Sequence, residues 1–165
     1  MSFLSKNLSE TKQFAKDFLV KLSGKTPKQG IVLALFGDLG SGKTTFTQFL
    51  AEELGVKENV NSPTFVLMKR YPLNPVRSRP AQQGGATVTS GRPASSGVKQ
   101  LIHLDCYRLN KPEEVLPLGW EEMIADPGNL LVVEWPEKIE KYLPARAIKL
   151  YFEFIDENSR KIECK

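Results

Sequence analysis

The chain has few residues that could build a staple or a metal cage. Among its 165 residues are two cysteines, Cys106 and Cys164, and one histidine, His103. Two cysteines make no disulfide framework, and their spacing fits no zinc site. Both are expected to be buried thiols in a reducing cytoplasm. No apolar run approaches the ~20 residues that span a bilayer, and the N-terminus lacks the long apolar core of a secretory signal. A cytoplasmic protein with no membrane attachment is therefore expected. A general basic character is missing too. The net charge is +4, but residues 74–98 hold Arg77, Arg79 and Arg92 and no acid, so most of the excess is local. That argues against a nucleic-acid-binding surface spread over the fold.

What is present centres on Gly37-Asp38-Leu39-Gly40-Ser41-Gly42-Lys43-Thr44-Thr45. Residues 37–44 fit G-x-x-x-x-G-K-[ST], the phosphate-binding loop. Glycines let successive backbone N–H groups converge on phosphate oxygens. Lys43 would reach the β- and γ-phosphates, the Thr44 hydroxyl would ligate Mg²⁺, and the following helix would add its positive end. The flanks agree. Ile31 to Phe36 is an unbroken apolar run suited to a strand covered on both faces. Phe46, Phe49, Leu50 and Leu54 then recur at helical spacing before Gly55.

The remaining pattern predicts an α/β domain over 1–165 with a mainly parallel sheet. Ser9 is placed as the cap of a first helix running to about Leu22. Asn61-Ser62-Pro63-Thr64-Phe65 leads into a strand ending near Met68. Residues 72–99 are rich in Pro, Gly, Ser and Arg and poor in large apolar side chains, and are expected to form a disordered insert. Leu101–Asp105 and Leu130–Glu134 read as buried strands, each ending in an acid. Short helical segments are expected from Pro112, around Trp120–Ile124, and from Pro136 to about Tyr142. Ile148–Phe154 and Arg160–Cys164 form an expected antiparallel hairpin.

A nucleotide-bound Mg²⁺ needs a carboxylate as well as Thr44, and such acids sit at the ends of neighbouring strands. Asp105 and Glu134 both qualify, and position alone does not choose between them. Thr64 falls where phosphate-loop proteins place a γ-phosphate sensor, although a proline-stabilised strand entry would look the same. His103 fits a packed, hydrogen-bonded residue better than a proton shuttle. Trp135 suits packing or a contact beside Glu134.

Four blocks in order, Gly37–Phe46, Ser62-Pro63-Thr64-Phe65, His103–Leu109 and Glu134-Trp135-Pro136-Glu137, resemble the TsaE family of bacterial tRNA threonylcarbamoyladenosine biosynthesis ATPases. The resemblance implies a phosphate-loop NTPase-like three-layer fold that binds ATP and Mg²⁺, hydrolyses ATP slowly, and works with the TsaD and TsaB proteins. It implies Thr44 and Glu134 as the metal residues. Lys43, Asp105 and Thr64 become the catalytic set. Asp38, Leu39, Gly40, Ser41, Gly42, Lys43, Thr44 and Thr45, with Thr11 and Arg160 near the nucleotide, become the binding set. Direct tRNA contact is not expected. A phosphate-loop small-molecule kinase is the main alternative. A GTPase is disfavoured because Asn110-Lys111-Pro112-Glu113 is a poor guanine-reading loop.

Overall fold

A computed structural model describes residues 2–23, 27–63, 66–73 and 97–165. Its framework is a seven-stranded sheet in the order β1-β7-β6-β2-β5-β4-β3. The strands are β1 (Ser2–Ser5), β2 (Ile31–Phe36), β3 (Met68–Pro72), β4 (Gln100–Asp105), β5 (Asn129–Glu134), β6 (Ile148–Phe154) and β7 (Arg160–Cys164). The central strands β6, β2, β5 and β4 are mutually parallel. The outer pairings β1/β7, β7/β6 and β3/β4 are antiparallel.

Side-chain alternation divides the core in two. Leu33, Leu35, Leu101, Leu130, Val132 and Leu150 face helices α1 (Leu8–Ser23) and α2 (Lys43–Glu53), where Phe14, Phe18, Phe46 and Phe152 pack together. Val32, Ile102, Leu104, Leu131 and Val133 face the other layer, with Val115, Trp120, Met123 and Ile139. That layer consists of α3 (Trp120–Ala125) and two 3₁₀ segments, Pro112–Leu118 and Pro136–Tyr142. The fold is thus a three-layer phosphate-loop NTPase-like α/β fold, as expected. Among the described residues no helix is long and apolar enough to cross a membrane.

Several local expectations are corrected. The first helix starts at Leu8 and is capped by Asn7, whose Oδ1 accepts from the Glu10 N–H at 2.9 Å; Ser9 is inside the helix. The strand after Pro63 starts at Met68, because Leu67 takes a left-handed conformation (φ 62°) that interrupts extension before it. β1 was not expected. The ends of the 72–99 segment belong to the sheet: Pro72 lies in β3, and Leu73 N–H donates to Lys99 C=O at 2.8 Å. Pro72 is tolerated because β3 is an edge strand. The rest of the insert, 74–96, lies outside the described residues. Cys106 is buried, whereas Cys164 is only half-buried.

The candidate phosphate site at the strand ends

The site begins where β2 stops. Gly37 has φ 139°, and a Cβ there would lie closer than 3.0 Å to the Phe152 carbonyl oxygen of β6, so glycine is required. The loop then turns through Gly40 and reaches Gly42, the residue before α2, at φ 99°. Gly42 supplies no side-chain cap, and the first turn of α2 has no acid. The positive end of the helix is thus left without a side-chain acceptor from this cap, which suits an anion. A Schellman motif closes α2: Gly55 N–H donates to Glu52 C=O and Val56 N–H to Ala51 C=O, both at 2.9 Å.

Parity carries the acids to the same place. Asp105 and Glu134 are register partners at the ends of β4 and β5. Both are an even number of residues from core positions facing α2, Leu101 and Leu130, so both project towards that helix. The Thr44 hydroxyl donates to Glu134 Oε2 at 2.8 Å. The other oxygen, Oε1, lies 2.8 Å from His103 Nε2. Asp105 Oδ1 accepts from the Tyr107 N–H at 3.0 Å, and the Ser62 hydroxyl donates to its Oδ2.

Lys43 lies across this group. Its Nζ donates to the carbonyls of Gly37 at 2.7 Å and Asp38 at 2.8 Å, and sits 4.2 Å from the centre of the Trp135 ring. Burial lowers its pKa, against the opposing pull of Glu134, Glu137, Asp105 and Asp38. Trp135 holds a left-handed backbone conformation, φ 57° and ψ 49°, which is unfavourable for a bulky residue. This abrupt turn at the end of β5 places its ring over Lys43 and 4.9 Å from the ring of Tyr107. The open cleft beside them has a volume of about 320 Å³.

The cavity lining includes Leu39, Gly40, Gly42, Lys43, Thr44, Thr45, Asp105 and Glu134, together with Ser62, Tyr107 and Trp135. The Thr44 hydroxyl and Glu134 Oε2, hydrogen-bonded at 2.8 Å, are the hard oxygen donors that Mg²⁺ takes, so the pair fits such an ion by donor type. The described residues contain no cluster of three His, Cys, Asp or Glu side chains able to hold a metal. A metal here would therefore share its coordination with substrate oxygens and water.

The profile of the family described as "Threonylcarbamoyl adenosine biosynthesis protein TsaE" matches residues 5–81 and 87–162. The chain belongs to the TsaE family. It is 36% identical over 156 residues to the tRNA threonylcarbamoyladenosine biosynthesis protein TsaE of Bacillus subtilis, covering 94% of this chain and 79% of that one. TsaE of Nostoc sp. is 37% identical over 146 residues, covering 86% and 74%. A crystal structure of Bacillus subtilis YdiB matches with a TM-score of 0.63 and 30% identity, covering 98% of this chain and 82% of that one. The family is one of tRNA threonylcarbamoyladenosine biosynthesis proteins.

Not every residue expected from the TsaE resemblance lines the cavity. Asp38 is exposed and reaches the site through its carbonyl on Lys43. The Ser41 hydroxyl is buried beneath the loop with no partner among the described residues. Arg160 lies against the loop from β7, with Nη1 3.3 Å from where a Cβ of Gly42 would be. Thr11 is fully buried, 2.8 Å from the Ser5 hydroxyl and in reach of the Asn7 carbonyl. Thr64 lies outside the described residues. Sequence reasoning assigned no role to Ser62 and did not pair His103 with Glu134. The signal for the second was available: His103 is two residues before Asp105, so it shares that acid's face of the sheet.

Proposed function

We propose that this TsaE-family chain is a Mg²⁺-dependent ATP hydrolase that acts as an accessory subunit on a TsaD/TsaB assembly in the cytoplasm. The observation that supports this most is the bond between Thr44 in the first turn of the loop helix and Glu134 at the end of the neighbouring strand. It brings the two oxygens that phosphate-loop NTPases use for a metal into one cavity with Lys43 and Asp105.

In this reading, the amides of the loop and of the first turn of α2 hold the β- and γ-phosphates. Lys43 leaves the Gly37 and Asp38 carbonyls and turns its ammonium to the γ-phosphate. Thr44 and Glu134 would hold Mg²⁺, which would supply positive charge against that of the phosphates. Asp105, fixed by Ser62 and Tyr107, orients the water whose oxygen forms the new bond to the γ-phosphorus; the products are ADP and phosphate. Arg160 lies close enough to Gly42 to add positive charge beside the loop. Thr11 is omitted, because its hydroxyl is already engaged.

Phosphate release from Mg-ATP, measured with wild type and Lys43→Ala, alone and with TsaB and TsaD, tests the proposal. Slow release by wild type, faster with the partners and absent in the variant, is expected. Equal release by both proteins, or none under either condition, would overturn it.

A further inference from the structure

We infer that His103 is a positioning residue for the metal-binding carboxylate: its imidazole fixes Glu134 so that Oε2, and not Oε1, is presented to the metal beside Thr44. The inference rests on the function proposed above.

Three observations carry it. His103 has no exposed surface, so its orientation is set entirely by the protein. Its single polar contact among the described residues is Nε2 to Glu134 Oε1 at 2.8 Å, while Nδ1 has no partner. Thr44 takes the other carboxylate oxygen, giving a continuous line from His103 through Glu134 to Thr44. A carboxylate accepts and does not donate, so the proton of that contact is assigned to Nε2. The nearest β4 and β5 positions on this face of the sheet, Leu101, Leu130 and Val132, are aliphatic. A residue needed only to fill that space could be aliphatic as well. An imidazole with one bare nitrogen is explained by what its other nitrogen holds.

The geometry also explains why histidine reaches this oxygen. His103 pairs in register with Val132, two residues before Glu134 on the adjacent strand. A side chain at that diagonal position must extend towards the strand end to meet the acid, and Nε2 is the far atom of the ring. The amide nitrogen of Gln reaches comparably far; that of Asn stops short. Partners outside a metal's ligands commonly change metal affinity by about 10–100-fold when removed.

The test uses the full chain and variants His103→Leu, His103→Gln and His103→Asn. ATP affinity is measured by calorimetry in EDTA and across a Mg²⁺ titration, with thermal unfolding alongside. His103→Leu should raise the Mg²⁺ midpoint at least about tenfold while changing affinity in EDTA less than about twofold. His103→Gln should restore a midpoint within about threefold of wild type, and His103→Asn should not. If His103→Leu does not fold, the Gln and Asn variants carry the comparison. A Mg²⁺-dependent wild type with an unshifted midpoint in His103→Leu, or equal midpoints for Gln and Asn, would overturn the inference alone. A wild type that binds ATP without any Mg²⁺ dependence would overturn the proposed function and this inference together.

Discussion

Replacing Gly37 by alanine should damage this protein more than the same change three residues later. Gly37 has φ 139°, and its added Cβ would press on the Phe152 carbonyl oxygen of β6 and lie 2.9 Å from Ser41 Oγ. The backbone conformation costs about 1–3 kcal/mol for a residue with a side chain. Relieving the overlap requires β6 or the loop to shift, at about 1–3 kcal/mol more. Gly40 offers the control: its φ is 79°, but nothing lies within 4 Å of an added Cβ. Gly40→Ala should therefore cost only the left-handed conformation, about 1–2 kcal/mol. In a domain of this size each kcal/mol lowers Tm by about 2–4 °C. Thermal unfolding should place Gly37→Ala several degrees below Gly40→Ala, in a window of roughly 4–24 °C below wild type. A Gly37→Ala Tm equal to or above that of Gly40→Ala would refute the argument that the loop is wedged against β6.

Other outcomes follow from the electrostatics and burial. Burial lowers the folded pKa of Lys43 below its unfolded value, so the unfolded chain binds more protons through that window. Stability contributed at this site should rise with pH from the lowered value up to about 10.5, and the Tm difference between wild type and Lys43→Met should move in wild type's favour over that range. A difference that is flat or runs the other way contradicts the burial argument. Cys106 is buried and its thiol is pushed up to about 12, whereas Cys164 is half-buried. Iodoacetamide at pH 8 should label Cys164 alone in the native protein and both thiols in denaturant, as counted by mass spectrometry.

The elements that could be read from the sequence are those whose local chemistry and tertiary role coincide. The apolar run 31–36, the glycine loop and the periodic helix after it are self-consistent at every level, so β2 and α2 emerge where expected. The C-terminal hairpin does likewise, through strict alternation. β1 escaped because Ser2-Phe3-Leu4-Ser5 is too short to show a period, and only pairing with β7 makes it a strand. The Asn7 cap lay two residues ahead of the chosen serine. Pro117, inside the Pro112–Leu118 segment, removes an N–H from it, and the tighter 3₁₀ geometry found there is not a property that apolar spacing reveals.

The site divides in the same way. Thr44, Glu134, Asp105 and Lys43 were legible because a sequential motif and two strand-end acids mark them. The roles of Ser62 and His103 depend on register and loop path. Pairing of His103 with Glu134 requires that β4 and β5 be neighbours in one particular alignment, which the chain does not spell out. Trp135 illustrates the same limit. Its left-handed turn at the end of β5 is one that neither a bulky side chain nor the following Pro136 favours, and with it the ring lies over Lys43.

The central claim is that Thr44 and Glu134 hold the metal for ATP hydrolysis. Single-turnover phosphate release, with protein in excess over ATP, tests it without interference from product release. Thr44→Ala and Glu134→Gln should each lower the Mg²⁺-dependent rate by at least about 100-fold, and folding should be checked by thermal unfolding. Turnover at the wild-type rate in both folded variants would contradict the account.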